Sequence, residues 1–350
     1  MANILLNTEC NRACPYCFAE QEISRKAGDR ITRENLIYIA DFLWANGKRD
    51  VSLVGGEPTL HPQCVDFILY LLDRGFDVTL FSNGLLDASV LDEFGRCLKD
   101  APPDRFNIVC NLNDPILTPP TSSGEARLRE FLSSMGPLIT PGFNIYRPDF
   151  TLEFLFELIR AYGLRRFLRL GIAHPTPGGK SAFVRSRDMR RVVERLFTYR
   201  AVFEDHRIMP GLDCGFTRCR FSDRELDWLR RFSCRAVFRC SPSVDISPDM
   251  DLFHCLPLSR YRRRSLLEFD SMEEIASHFV RMRDEIRSEA AGVFVECDGC
   301  RHRLEDVCSG GGLCHVVSRS SDGAPLRNGE EVLVGRQEVA RPTHLLRFTA

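Results

Sequence analysis

The sequence has no run of 18 apolar residues, so it offers no helix able to cross a bilayer. Its first ten residues, MANILLNTEC, lack the basic n-region and the long apolar stretch of a secretory signal. Net charge is almost absent: Lys+Arg of 47 against Asp+Glu of 48 leaves −1, so nothing in it predicts a bulk electrostatic partner such as nucleic acid. Gly and Pro are not in excess, and 44% of the 350 residues are hydrophobic, so a disordered chain is excluded. The expectation is a cytoplasmic globular protein with one large core and a smaller one, and with neither a membrane nor a nucleic acid as partner.

What is abundant is cysteine, with 15 residues. A reducing cytoplasm argues against a disulfide framework, which leaves metal or cluster binding as the leading explanation. The spacing is uneven. Cys10, Cys14 and Cys17 crowd the start, Cys64, Cys97 and Cys110 are scattered in helix or strand patterns and read as core residues, and nine lie between Cys214 and Cys314.

The first 205 residues alternate short apolar runs with amphipathic ones. Strand patterns at NILLNTE, DVSLVGG, DVTLFSNG, RFNIVCNLN, GFNIY and RFLRLGIAHP each precede a helix pattern, the last being RDMRRVVERLFTYRAVF read as one helix. Six β-α units predict parallel strands with helices outside, and a site at the carboxyl ends of the strands. The notable residues fall at those ends: the Cys10–Cys17 loop after the first strand, GGEPTLHP (Gly55–Pro62) after the second, Ser82 and Asn83 after the third, Asn111 and Asn113 at the fourth, and Arg169 with Gly171 in the sixth. His61 reads as a structural part of its turn.

Three thiols in eight residues can form a staple, hold zinc, or hold a group that needs only three ligands. Zinc wants a fourth protein ligand, and no further Cys or His lies near the loop in sequence. CNRACPYC together with GGEPTLHP resembles the radical S-adenosylmethionine (SAM) superfamily. The resemblance implies a [4Fe–4S] cluster on Cys10, Cys14 and Cys17, with Tyr16 in the aromatic place and one iron left for the methionine moiety of SAM. It implies that Gly55 and Gly56 let the backbone approach that moiety, and that Glu57 lies nearest its ammonium. Ser82, Asn83, Asn111 and Arg169 are further candidates for holding SAM.

The later cysteines run C-x5-C-x14-C from Cys234 through Cys240 to Cys255, then C-x2-C-x7-C-x5-C from Cys297 through Cys300 and Cys308 to Cys314. This is similar to the SPASM extension of radical SAM enzymes, an auxiliary-cluster domain, with DISPDMDLFHC as its hairpin (turn at Pro248–Asp251) and CSGGGLC as its glycine-rich segment. The resemblance implies one auxiliary [4Fe–4S] cluster on Cys234, Cys240, Cys255 and Cys314. It implies a second on Cys297, Cys300 and Cys308, whose usual fourth ligand would follow Cys314, where this sequence has no cysteine. Either that iron is open in the substrate cavity or another residue closes it, Cys214 before Cys219. Cys214 is also the candidate catalytic or substrate-binding thiol, against the plainer reading of a buried thiol. The alternatives are a single auxiliary cluster with the other thiols idle, and a zinc ribbon on Cys297, Cys300, Cys308 and Cys314. RYRRRS (Arg260–Ser265) reads as a solvated surface, or as a seat for an acidic substrate.

The expected fold is α/β: a partial (β/α)6 TIM-like barrel over residues 1–205, a small cysteine-rich α+β auxiliary-cluster domain over 206–320, and a tail over 321–350 that packs on the barrel or is partly flexible. The resemblance implies an oxidoreductase-type or peptide-modifying enzyme that cleaves SAM reductively to a 5′-deoxyadenosyl radical, which abstracts hydrogen from a substrate carbon. The auxiliary clusters would accept an electron or bind substrate. Peptide maturation by cross-linking, oxidation or epimerisation is the leading role. Dehydrogenation or rearrangement of a small metabolite is the second, and a non-catalytic electron-transfer or sensor protein the third. Expected partners are a peptide or small-molecule substrate, a reductant such as flavodoxin or ferredoxin, and a separate peptide-recognition protein, since only nine residues precede Cys10. Leu256 stands where sulfatase-maturing relatives carry an aspartate base, which argues against that specific activity.

Overall fold

The computed structural model describes residues 2–25, 27–119, 121–176, 181–233, 235–241 and 243–318. Cys234 and the tail expected over 321–350 lie outside the described residues.

The strands are β1 (Ala2–Leu5), β2 (Asp50–Val54), β3 (Asp77–Ser82), β4 (Phe106–Asn111), β5 (Ile139–Ile145), β6 (Phe167–Ile172), β7 (Met209–Leu212), β8 (Arg235–Ala236), β9 (Val244–Ile246), β10 (Asp251–Phe253) and β11 (Arg264–Ser265). Among the described residues they form one sheet in the order β11-β10-β9-β1-β2-β3-β4-β5-β6-β7-β8. β1 to β8 run parallel in chain order, which requires a crossover between neighbours. Helices Arg33–Ala45, Cys64–Asp73, Ala88–Cys97, Ser122–Met135 and Glu153–Tyr162 supply the first five crossovers. The fold is therefore α/β with a large parallel sheet, as the alternating pattern predicts.

Local chemistry marks the helix ends. Thr32 and Thr121 accept from the backbone N–H of Asn35 and Gly124, both at 3.1 Å, and so cap two crossover helices. Helix Glu153–Tyr162 stops at Gly163, whose φ of +61° suits glycine. Phe67, Phe76, Phe94, Phe106, Phe131 and Phe143 are fully buried where helices meet the sheet.

The sixth crossover differs from the sequence reading. RDMRRVVERLFTYRAVF is two helices, Met189–Phe197 and Arg200–His206. The break is pinned by Tyr199, whose hydroxyl donates to Glu153 at 2.9 Å and accepts from Arg195 at 2.8 Å. Periodicity alone cannot show such a tether.

The cysteine-rich segment joins the same sheet rather than standing apart. β9 pairs parallel with β1, and β10 and β11 extend that edge antiparallel. The predicted hairpin is present, with Ser247 N–H donating to the Asp251 carbonyl at 2.9 Å and Met250 in its turn at φ +68°. Two expectations are corrected here. Cys97 is exposed at the end of its helix, whereas Cys64 and Cys110 are buried as expected. Arg263 is not a solvated member of its basic run: it is mostly buried and pairs with Glu22 and Asp251.

Candidate active site

The loop after β1 carries Cys10, Cys14 and Cys17, all half-buried and none in a disulfide. The Cys17 N–H donates to the Cys14 carbonyl at 3.1 Å, which turns the loop back on itself. Burial raises the Cys10 thiol, and it pushes the Cys17 thiol up to about 11; the neighbouring thiols add to both. Protons alone thus leave the Cys10 and Cys17 sulfurs neutral, and a bound metal would be what deprotonates them.

The three sulfurs are too far apart for one zinc ion. Four thiolates around zinc at about 2.3 Å lie about 3.8 Å from one another by tetrahedral geometry. Among the described residues, the only group of three or more potential ligand atoms all within 4.8 Å of one another is His174, Cys314 and His315.

The GGE turn packs directly on this loop. A Cβ at Gly55 would sit 2.6 Å from the Asn7 carbonyl oxygen, and one at Gly56 would sit 2.0 Å from that of Glu9. The glycines are therefore required by contact between the two loops, not only by approach to a ligand. The backbone N–H groups of Gly56 and Glu57 donate to those same carbonyls at 3.1 and 2.6 Å. His61 is structural, as expected, with Nε2 3.0 Å from the Ile31 carbonyl and Nδ1 accepting from Gln63.

Glu57 is buried, and its carboxylate gathers the ends of two strands. One oxygen accepts from the Thr59 N–H (3.3 Å), the Thr59 hydroxyl (2.8 Å) and the Ser82 hydroxyl (2.9 Å). The other accepts from the Asn83 N–H at 2.7 Å. Burial raises its pKa, and these donors oppose the rise. A carboxylate offers about four acceptor positions, so a lone pair on the second oxygen is the main one left for a ligand cation. Asn83 in turn donates to Asn11 at 2.8 Å, and Asn11 donates to the Leu85 carbonyl at 2.9 Å. Ser82 and Asn83 thereby tie the end of β3 to the cysteine loop.

Tyr16 is buried, stacks on Tyr146 at 5.2 Å between centroids, and donates to Asn113. Asn113 also donates to the Cys14 sulfur at 3.6 Å. Asn111 ends β4 with its buried Oδ1 lacking a partner, and one buried guanidinium nitrogen of Arg12 also lacks one. Arg169 is committed to an ion pair with Asp213 and lies over the Phe81 ring, 5.2 Å from its centroid. Its charge is thus already neutralised by protein.

Two histidines escaped the sequence reading. His174, just past β6, packs edge-on to His315 at 5.4 Å and lies 6.2 Å from Phe18 of the cysteine loop. Its Nε2 is 3.5 Å from the Cys214 sulfur, and its Nδ1 is buried without a partner. Burial pushes its pKa down to about 4. A lone histidine after a strand carries no motif; only the fold brings it between the two cysteine regions.

The later cysteines divide into two groups. Cys240, Cys255, Cys314 and Cys214 are electrostatic neighbours, and burial pushes the Cys255 and Cys314 thiols well up. Cys214 is exposed, which sets aside the plainer reading of a buried thiol. Cys297, Cys300 and Cys308 line a separate pocket.

Comparison with known proteins agrees with this geometry. Residues 4–134 match the family model described as the radical SAM superfamily, and they form a radical SAM domain. That domain marks the chain as an enzyme and implies a [4Fe–4S] cluster and SAM as its cofactors. A probable GTP 3′,8-cyclase of Sulfolobus acidocaldarius is 28% identical over 206 residues, 55% of this chain and 62% of the relative. An S-adenosylmethionine-dependent nucleotide dehydratase of Selenomonas ruminantium is 33% identical over 85 residues, 24% of this chain and 30% of the relative. The chain thus spans under two thirds of the length of these curated relatives. Among solved structures, anSMEcpe with bound AdoMet aligns with a TM-score of 0.62 at 16% identity, covering 89% of both chains. SuiB of Streptococcus suis bound to the precursor peptide SuiA aligns with a TM-score of 0.59 at 15% identity, covering 91% of this chain and 70% of that one. These two likenesses establish the fold. Among the described residues no helix is long and apolar enough to cross a membrane.

The residues fit the implied group. Three thiols spaced too widely for a single ion, two loops in contact only because Gly55 and Gly56 lack side chains, and unpartnered polar atoms on Arg12 and Asn111 are what a three-ligand cluster with a polar co-ligand requires.

Proposed function

We propose that the chain is a radical SAM enzyme of SPASM type that modifies a peptide or protein side chain, with Cys10, Cys14 and Cys17 holding the SAM cluster. The observation that carries this is the Glu57 hub, which binds the GGE turn, the end of β3 and the cysteine loop into one rigid rim. Bound there, cluster and SAM together supply one-electron cleavage of a sulfonium C–S bond, from which hydrogen abstraction at a substrate carbon follows.

The protein's own residues position and enclose. Tyr16 and Tyr146 stack beside Cys14 and close that flank to water. Arg12 and Asn111 offer one unsatisfied donor and one unsatisfied acceptor to a polar ligand. Glu57 fixes Ser82 and Asn83 and keeps one acceptor position for a cation. The electron comes from an external reductant such as a flavodoxin or ferredoxin. Cys240, Cys255 and Cys314, with Cys234, are the proposed ligands of an auxiliary [4Fe–4S] cluster, and residues 206–320 the auxiliary-cluster domain. Cys314 is buried and Cys240 and Cys255 are half-buried, a low-dielectric setting of the kind that tunes such a cluster.

The peptide reading is supported by the fold shared with SuiB and anSMEcpe, which extends through the cysteine-rich segment. A nucleotide substrate is the second reading, favoured by the names of the sequence relatives. The test is anaerobic incubation of reduced protein with SAM and deuterated candidates, either peptides or GTP. Deuterium in 5′-deoxyadenosine from a peptide supports the first reading, and deuterium from GTP supports the second. No 5′-deoxyadenosine under any condition refutes the enzyme class.

A further inference from the structure

Cys219 was one of two thiols able to complete the Cys297, Cys300 and Cys308 set, and Cys214 was the one expected. The structure separates them. Cys214 lies with His174 and the Cys240, Cys255 and Cys314 group. Cys219 lines the other pocket, together with Cys297, Cys300, Cys308, Thr217, Arg218, His302 and Gly310. We infer that Cys219, supplied from 78 residues before Cys297, is the fourth protein ligand of a second auxiliary [4Fe–4S] cluster in this pocket, so that its irons all carry thiolates. The inference rests on the reading that this chain assembles iron–sulfur clusters.

Four observations carry it. One partly solvent-open recess gathers all four cysteines. Its four sulfurs are not among the ligand atoms that converge within 4.8 Å, so they are spread too widely for tetrahedral zinc. The surrounding backbone is shaped around the sulfurs. A Cβ at Gly292 would sit 2.5 Å from the Cys297 sulfur, and the Gly310 N–H points at the Cys308 sulfur at 3.4 Å. The segment bearing Cys219 is anchored to the loop bearing the other three by Arg218, which donates to His302 Nε2 at 2.6 Å.

A closed shell changes what the site can do. A cluster with one thiolate on each of its four irons has no open position for a substrate thiolate or amine, so this cluster would pass electrons and not bind substrate.

The test uses the full chain with Cys10, Cys14 and Cys17 all changed to Ala, reconstituted anaerobically with iron and sulfide. About eight irons per chain are expected, four for each auxiliary cluster. Iodoacetamide footprinting read by mass spectrometry should show Cys219, Cys297, Cys300 and Cys308 protected together, at least about tenfold slower than in the metal-free chain. Exposed Cys97 should label in both states and serves as the internal control. Adding Cys219→Ala should lower the iron content and open Cys297, Cys300 and Cys308 to alkylation. Adding Cys219→Ser should keep iron but alter the electron paramagnetic resonance of the reduced cluster, and Cys214→Ser should leave that signal unchanged. Cys219 labelling as fast as Cys97 in a chain holding eight irons overturns the assignment. So does one zinc in place of the second cluster. A wild-type chain that loses no iron when the first three cysteines are removed would count instead against the SAM-cluster reading.

Discussion

Arg263 donates to Glu22 at 2.7 Å across 241 residues of chain. Glu22 lies in the short helix after the cysteine loop, and Arg263 lies at the end of the β10–β11 connection. Both are mostly buried. Arg25 and Asp251 complete the network at 2.9 and 3.0 Å. The pair locks the helix that follows the Cys10–Cys17 loop to the segment that carries Cys255.

A buried charge left wholly unpaired costs about 3–5 kcal/mol, but without Arg263 the Glu22 carboxylate still has Arg25 at 2.9 Å. Arg263→Met is therefore expected to lower stability by less than about 3 kcal/mol in urea unfolding at neutral pH. The pH dependence has a definite sign. Burial alone would raise the Glu22 pKa, but Arg25 and Arg263 more than offset it, so the folded value is depressed. Stability from Glu22 is then full above the ordinary carboxylate range and is lost as pH falls through the depressed value. The wild-type chain should lose this increment on acidification, and Arg263→Met should lose less. Equal acid sensitivity in both would contradict the assignment.

Cys14→Ala is expected to abolish SAM cleavage while leaving iron in the C-terminal region. The reason is separation: the pocket lined by Cys219, Cys297, Cys300 and Cys308 contains no residue of the first loop. Iron analysis paired with 5′-deoxyadenosine assay checks both halves. Full cleavage by a chain lacking Cys10, Cys14 and Cys17 would show the cluster to be elsewhere.

Much of this site was legible because strand order places every strand end on one rim. The Cys10 loop, the GGE turn, Ser82, Asn83 and Asn111 needed only the β-α alternation to be brought together. The reasons for individual residues were less legible. Gly55 and Gly56 read as room for a ligand, yet their missing Cβ atoms are filled by Asn7 and Glu9. Arg263 sat in a basic run that reads as surface, because charge patterning along a chain does not show which member turns inward. His174 and the partition of Cys214 from Cys219 depend on contacts across 40 to 84 residues, which no local spacing encodes.

Glu57→Ala is expected to weaken SAM binding and also to loosen the rim, since Thr59, Ser82 and Asn83 each lose an acceptor. Each buried donor left unsatisfied costs about 1–3 kcal/mol. Glu57→Gln separates the two effects. Its amide oxygen can serve Thr59 and Ser82, while its NH2 must face the Asn83 N–H. Calorimetry should show SAM affinity reduced in both variants, with unfolding temperature lowered mainly in the Ala variant. Unchanged affinity in both would remove Glu57 from the SAM site and leave it a brace.

Arg287 stands between the two auxiliary thiol groups. Arg287 is half-buried and has Cys240 and Cys314 of one group and Cys297 and Cys308 of the other as electrostatic neighbours. It is held there by donating to the Gly311 carbonyl at 2.7 Å. Burial depresses its pKa and the thiols oppose that, but a guanidinium stays protonated at neutral pH. A fixed positive charge favours the reduced, more negative state of any cluster beside it. At a separation of about 10 Å and an effective dielectric of about 20, the interaction is about 1.7 kcal/mol. For a one-electron couple that is roughly 70 mV. Arg287→Gln should therefore shift the auxiliary potentials downward by tens of millivolts, and Arg287→Lys should restore most of the shift. Redox titration followed by electron paramagnetic resonance measures both. If the two groups are clusters flanking one charge, both potentials move together; a shift in one alone would place Arg287 beside a single cluster, and no shift in either would show that Arg287 lies beside neither cluster.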